Sequence, residues 1–236
     1  MKNSSSKRWM ITLLVILATA AGYFLYRRYG GNSPRNPLVW QYLSSPRSHK
    51  DWEVQAGEKC AGSPFTFPTA GFIGYLWGDT FKAGHPHQGL DFFGGAEPGV
   101  TPVYAVYDGY LSRLDGWKSS LILRIPEDPL DAQRQIWVYY THMADPSGKS
   151  FISPDFPAGT GEVFIKRGTL LGYQGNYSGD PGNPVGVHLH LSIVRDDGYG
   201  KFKNELEIKN TYDPSPYFGL PLSLDAGGTQ ILTCGS

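Results

Sequence analysis

Five of the six histidines fall in three short stretches: Gly84-His85-Pro86-His87-Gln88-Gly89-Leu90-Asp91, Val138-Tyr139-Tyr140-Thr141-His142, and Gly186-Val187-His188-Leu189-His190-Leu191. On an extended strand side chains alternate faces, so His188 and His190 share one face while Leu189 and Leu191 point into a core. His87 and Asp91, four apart, share a face if their segment is extended as well. Imidazole and carboxylate are the usual ligands of a catalytic zinc, which takes three protein ligands and keeps a fourth position open for water. His142 follows the β-prone run Ile136-Trp137-Val138-Tyr139-Tyr140 and brings a further imidazole from another strand. No cysteine lies in these stretches, which excludes an all-sulfur structural zinc site. No His-Glu-x-x-His helix occurs, so the helical zinc peptidases do not fit.

The elements that must position these residues are strands and turns. Tyr (15), Phe (12) and Trp (6) are interleaved with 30 Gly and 18 Pro, and no long amphipathic pattern appears after residue 30. The 236 residues carry 21 basic and 21 acidic side chains. That neutral balance argues against a protein that grips nucleic acid through bulk charge. Lys2, Lys7 and Arg8 precede an uncharged, mostly apolar run over residues 9–26, closed by Arg27 and Arg28. As a helix the run would span roughly 27 Å, near the thickness of a bilayer core. It reads as a transmembrane signal anchor behind a cytoplasmic stub (residues 1–8), or as a signal peptide cut near Ala18-Thr19-Ala20. Either way the rest of the chain lies outside the cytoplasm. Residues 27–63, with Gly30-Gly31-Asn32-Ser33-Pro34 and Ser44-Ser45-Pro46, read as an extracytoplasmic linker, and His49 within them as a solvated loop residue. A domain over 64–220 and a tail over 221–236 complete the chain. Cys60 and Cys234 bracket the domain. In an oxidising compartment they could join its ends by a disulfide; the alternative is two free thiols.

With these residues in view, the sequence resembles the lysostaphin-like, or LytM-like, zinc endopeptidases of bacterial cell walls. The resemblance covers about residues 70–220 and rests on ordered motifs. Gly74-Tyr75 is similar to the opening turn, and His87-Gln88-Gly89-Leu90-Asp91 to the family's His-x-Gly-Ile/Leu-Asp. Thr101-Pro102-Val103-Tyr104-Ala105 with Asp108-Gly109, Tyr140-Thr141-His142-Met143 and the turn Lys166–Gly172 follow. His188-Leu189-His190-Leu191 resembles His-Leu-His-Phe, and Asp213-Pro214 with Tyr217-Phe218 the closing segment. The resemblance implies a mainly β fold, two antiparallel sheets forming a groove with a zinc site at its base. It implies one zinc per chain held by His87, Asp91 and His190, with His142 and His188 as the catalytic pair beside the metal. In such a site zinc polarises the scissile carbonyl and an imidazole takes the proton of the attacking water. The implied substrate is a peptidoglycan peptide.

The chain departs from the family pattern in places. His85 makes a second His-x-His with His87. No tyrosine stands shortly before His87, where some relatives carry an oxyanion helper, and Val187 replaces a frequent proline. Two loops, 145–161 and 176–186, are long and rich in Gly, Pro, Ser and Asp, which suits a role in substrate choice. Two other functions share the motifs: a non-catalytic regulatory or peptidoglycan-binding module, which would typically have lost metal ligands, and a peptidase acting on proteins or free peptides.

Overall fold

The structure is a computed structural model that describes Trp9, Thr12, Thr19, residues 33–82 and residues 84–235. The apolar run expected to anchor the chain therefore lies outside the described residues, apart from three of its members. Among the described residues no helix is long and apolar enough to cross a membrane.

The fold is mainly β and antiparallel. Its large sheet runs in the order β1 (Glu53–Val54), β2 (Gly71–Ile73), β5 (Leu90–Phe93), β12 (Leu189–Arg195), β9 (Ile136–Thr141), β8 (Leu121–Ile125), β7 (Gly109–Ser112) and β10 (Val163–Ile165). A ninth strand, β13 (Thr211–Tyr212), pairs with the C-terminal half of β12, beyond the stretch that pairs with β5. Two short ribbons complete the strands: β6 (Pro102–Tyr104) with β11 (Leu170–Tyr173), and β3 (Thr80–Lys82) with β4 (His85–Pro86). The expected pair of sheets is thus one large sheet and two small ribbons. Val103 and Leu171 of the β6–β11 ribbon join the main core, so this ribbon caps one face of the large sheet.

Side-chain alternation sorts the large sheet into two faces. Leu90 and Phe92 of β5, Leu189, Leu191 and Ile193 of β12, Val138 and Tyr140 of β9, and Leu121 and Leu123 of β8 all enter the main core. The opposite face is covered only at its ends. At one end Phe72 and Phe93 pack against Val39 and Tyr42. At the other, Ile122, Trp137, Tyr139 and Val194 pack beneath Trp117 and Phe202. Between the two covers the sheet face is open, and Asp91, His190 and Thr141 stand there.

The segment read as a linker is instead part of the domain from Ser33 onward. Helix α1 (Asn36–Ser44) has proline in its first turn, and it buries Val39 and Tyr42. Irregular 3₁₀ turns over Pro46–Trp52 lead into β1. The physical reason lies in Arg35, which is fully buried and donates to four carbonyls: Ile73 and Gly74 at the end of β2, and Gly228 and Gln230 near the C-terminus. A buried guanidinium needs such a set of acceptors. The described part of the residues read as a tail over 221–236 is fixed by the same contacts, through Gly228 and Gln230. Leu222 and Leu232 enter the core, and Cys234 is bonded to Cys60 with a Cα–Cα distance of 5.0 Å. Of the linker expected over 27–63, residues 27–32 remain outside the described structure.

Candidate metal site and cleft

β5 and β12 pair so that Asp91 and His190 are direct cross-strand partners, and β12 and β9 pair so that His190 also faces Thr141. The register alone brings a carboxylate and an imidazole together: His190 Nδ1 lies 2.9 Å from Asp91 Oδ1. His87 arrives differently. In an extended strand residues four apart lie about 13 Å apart, yet His87 Nε2 sits 3.1 Å from Asp91 Oδ1 and 3.0 Å from His190 Nδ1. The expectation that His87 and Asp91 meet by sharing a strand face is therefore corrected. His87 precedes β5, and the chain turns at Gln88-Gly89 before the strand begins. Gly89 permits this turn because it lies against β12, where a Cβ would overlap the Leu191 carbonyl.

The remaining ring nitrogens reveal what the site is built to hold. His87 Nδ1 lies 2.9 Å from the Leu76 carbonyl, His188 Nδ1 2.6 Å from that of Gly186, and His142 Nδ1 2.7 Å from that of Tyr177. A carbonyl can only accept, so each Nδ1 carries the hydrogen and each Nε2 is left with a lone pair. His190 Nε2 is 2.8 Å from the Ser192 hydroxyl, which leaves Nδ1 turned inward. Three atoms able to ligate a metal, His87 Nε2, Asp91 Oδ1 and His190 Nδ1, thus converge within 4.8 Å of one another. Two ring nitrogens and a carboxylate oxygen this close need a proton or a cation between them. Two imidazoles and a carboxylate, oriented by outer hydrogen bonds, form a donor set that fits zinc.

His188 and His142 stand beside this triad. His188 Nε2 is 3.6 Å from Asp91 Oδ1, and the His188 ring stacks on Phe93 at 5.1 Å between centroids. The His142 ring lies 4.5 Å from that of His188 and 6.2 Å from that of His190. His142 follows β9 with φ of 72°, a left-handed conformation unusual for a residue other than glycine. Its carbonyl is approached so closely by Gly175 that a Cβ there would overlap it. The strained backbone is what aims the ring back over the sheet.

Burial governs the charges. It pushes His188 and His190 down to about 4 despite the nearby Asp91, and it lowers His142 as well. Burial also penalises the Asp91 carboxylate, but His87, His188 and His190 outweigh this and hold it well below the ordinary range. His87 moves the other way: burial lowers it, but Asp91, the Leu76 carbonyl and Asp79 outweigh burial and raise it, so the neutral rings around the Asp91 anion are those of His142, His188 and His190.

The triad lies in a cleft of about 850 Å³. One wall is α1, through Val39, Trp40 and Leu43. The other comes from Trp117–Ser120 and from Glu205-Leu206. Of the two long loops, residues 176–186 line the cleft through Tyr177, Ser178 and Val185, whereas 145–161 supply no lining residue. That second loop turns inward, with Ile152 and Phe156 in the core. His85 is exposed on the β3–β4 ribbon and borders a separate cavity of 290 Å³ with Glu207 and Lys209. His49 packs on Trp52 at 4.2 Å. Tyr75 is the cleft residue that sequence reasoning passed over as part of a turn. Burial, Asp91 and Asp79 raise its phenol to about 12, so it is a donor at neutral pH.

No protein-family model matches the chain, and no curated protein sequence matches it. Among solved structures, the chain is similar to the antimicrobial peptidase lysostaphin from Staphylococcus simulans, with 18% identity and a TM-score of 0.40 over 62% of this chain and 48% of that one. The chain thus spans about half the length of that protein. The catalytic domain of lysostaphin alone is matched over 63% of this chain and 90% of the domain, with 19% identity and a TM-score of 0.40. A putative glycyl-glycine endopeptidase lytM from Ruminococcus gnavus is similar over 58% of this chain and 47% of its own, with 23% identity and a TM-score of 0.36.

Proposed function

We propose that this chain is a zinc-dependent endopeptidase that cuts the peptide part of bacterial cell wall, and that it works outside the cytoplasm. The observation that carries this reading is the convergence of His87 Nε2, Asp91 Oδ1 and His190 Nδ1 on the floor of a cleft, beside two neutral imidazoles. One zinc ion held by these three residues would supply Lewis-acid polarisation of a carbonyl and a water of lowered pKa. His142 and His188 are placed to handle protons. Each has its Nδ1 committed to a backbone carbonyl and its Nε2 lone pair free, so each can accept a proton from the attacking water at Nε2 and return it to the leaving amine. The same Nε2–H, once formed, can donate to the oxygen that gains charge. The Cys60–Cys234 disulfide is in keeping with an oxidising compartment. The presence of the full ligand set speaks against a regulatory module on this scaffold.

The test is digestion of purified sacculi by residues 30–236 supplied with zinc, followed by mass analysis of the soluble fragments. New primary amines at peptide bonds, with no new reducing ends on the glycan, are the expected result. Intact sacculi together with cleavage of unrelated proteins would move the reading to a general peptidase. No hydrolysis of any peptide by a zinc-loaded sample would end the enzymatic reading.

A further inference from the structure

The second wall of the cleft carries a carboxylate with nothing to bind. Glu205 is half-buried and lines the cleft. Its neighbours are occupied with one another: Asn204 and Lys209 both engage Glu207, and Asn210 donates to the Asn204 carbonyl. Among the described residues Glu205 has no hydrogen bond and no ion pair. Lys118, which also lines the cleft, lies over the Tyr177 ring at 5.8 Å, and among the described residues it pairs with no carboxylate.

The segment that presents Glu205 is fixed in relation to the triad. Gln88, next to His87, donates its side-chain amide to the Leu206 carbonyl at 2.8 Å. Phe202 packs against Trp137 and Trp117, with centroids 5.6 and 5.9 Å away. Lys203 donates its backbone N–H to the Arg195 carbonyl at the end of β12. A row of hydroxyls links the two regions across the floor. The Ser120 hydroxyl lies 2.9 Å from that of Tyr139 and 2.7 Å from that of Thr141, and Thr141 is the cross-strand partner of His190. The Glu205 charge reaches the Tyr139 phenol, where it adds to burial in keeping that group protonated.

We propose that Glu205 is a recognition subsite for an ammonium group of the substrate. The cleft would then select peptides that carry a free amine at one fixed position relative to the bond cut, either a lysine-type side chain or an unblocked terminus. This rests on the peptidase reading and adds to it a charge requirement. An ammonium is the ligand chemistry that an unpaired, partly desolvated carboxylate at the edge of a substrate cleft recognises, by a charge-assisted hydrogen bond.

The test uses the zinc-loaded full chain and its Glu205→Gln variant. The probes are end-blocked hexapeptides of glycine and alanine in which a single lysine is moved through each position, their Nε-acetylated twins, and one lysine-free peptide with an unblocked N-terminus. Binding is titrated separately from hydrolysis. The expected result is one lysine position, or the unblocked terminus, that binds about tenfold more tightly than its neutral twin. Glu205→Gln abolishes this preference while neutral peptides bind as before. Equal binding of charged and neutral twins at every position, absence of all binding, or a preference that survives in Glu205→Gln overturns the proposal. A binding preference without hydrolysis leaves the subsite standing and removes the peptidase reading.

Discussion

Asn36 accepts the phenolic hydrogen of Tyr75 at 2.7 Å. The first residue of α1 is thereby bonded to a residue that lines the cleft, across 39 positions of sequence. A half-buried phenol that loses its acceptor costs about 1 kcal/mol. Asn36→Ala and Tyr75→Phe should each lower unfolding stability by that amount, and the double variant should lose no more than either alone. Denaturant unfolding of the four proteins measures the coupling; strict additivity would show that the bond contributes nothing.

Ser192 is fully buried, and its hydroxyl touches the outer nitrogen of His190. Partners of this kind fix ring orientation, and their loss typically weakens metal affinity by about 10–100-fold. Ser192→Ala should therefore release zinc to a chelator at a correspondingly lower concentration with little change in fold. His190→Ala should bind almost none. Unchanged affinity in Ser192→Ala would mean that the strand register positions the ring by itself.

The left-handed backbone at His142 dictates how its role is to be probed. Asparagine tolerates that conformation better than alanine, so His142→Asn removes the imidazole with the least added strain. Zinc content and melting temperature should stay near those of the wild type, while turnover falls by about 10²–10⁴-fold. A structural role for His142 would instead lower the melting temperature and leave the rate at low temperature near normal.

Gly89→Ala is expected to act at a distance from its own side chain. The added methyl overlaps the Leu191 carbonyl, so β5 and β12 must separate where Asp91 faces His190. Overpacking of this kind costs about 1–3 kcal/mol. Calorimetry should show that loss, and zinc affinity should fall with it. A drop in stability with zinc affinity preserved would indicate that the turn, not the ladder, absorbs the strain.

The legible part of this molecule is the part set by short-range periodicity. His188, Leu189, His190 and Leu191 could be sorted into site and core from alternation alone, because a strand keeps that rule over any two residues. His87 and Asp91 were identified as a pair by spacing, but the turn that joins them was not, because a glycine does not announce which backbone it will lie against. Helix α1 was hidden behind a Gly/Ser/Pro-rich stretch. Its signal was nonetheless present: Pro37 in the first turn, then Leu38, Val39, Tyr42 and Leu43 at helical spacing. Tyr75 is held in the cleft by Asn36, and the segment that carries Glu205 is held there through Leu206 by Gln88; no local pattern foretells a partner 39 or 118 positions away.

The docking of Ser33 and Arg35 also sets a working radius. Ser33 donates to the buried Asp79 at 2.7 Å, and Arg35 closes on β2 two residues later, so the chain is already docked on the body at Ser33. Between it and the apolar run over residues 9–26 stand only residues 27–32. At full extension six residues reach about 20 Å. An anchor in that run would act as a short leash. It would confine the cleft, one wall of which is α1 itself, to the layer of material next to the bilayer, so that geography as well as chemistry would decide which bonds are cut.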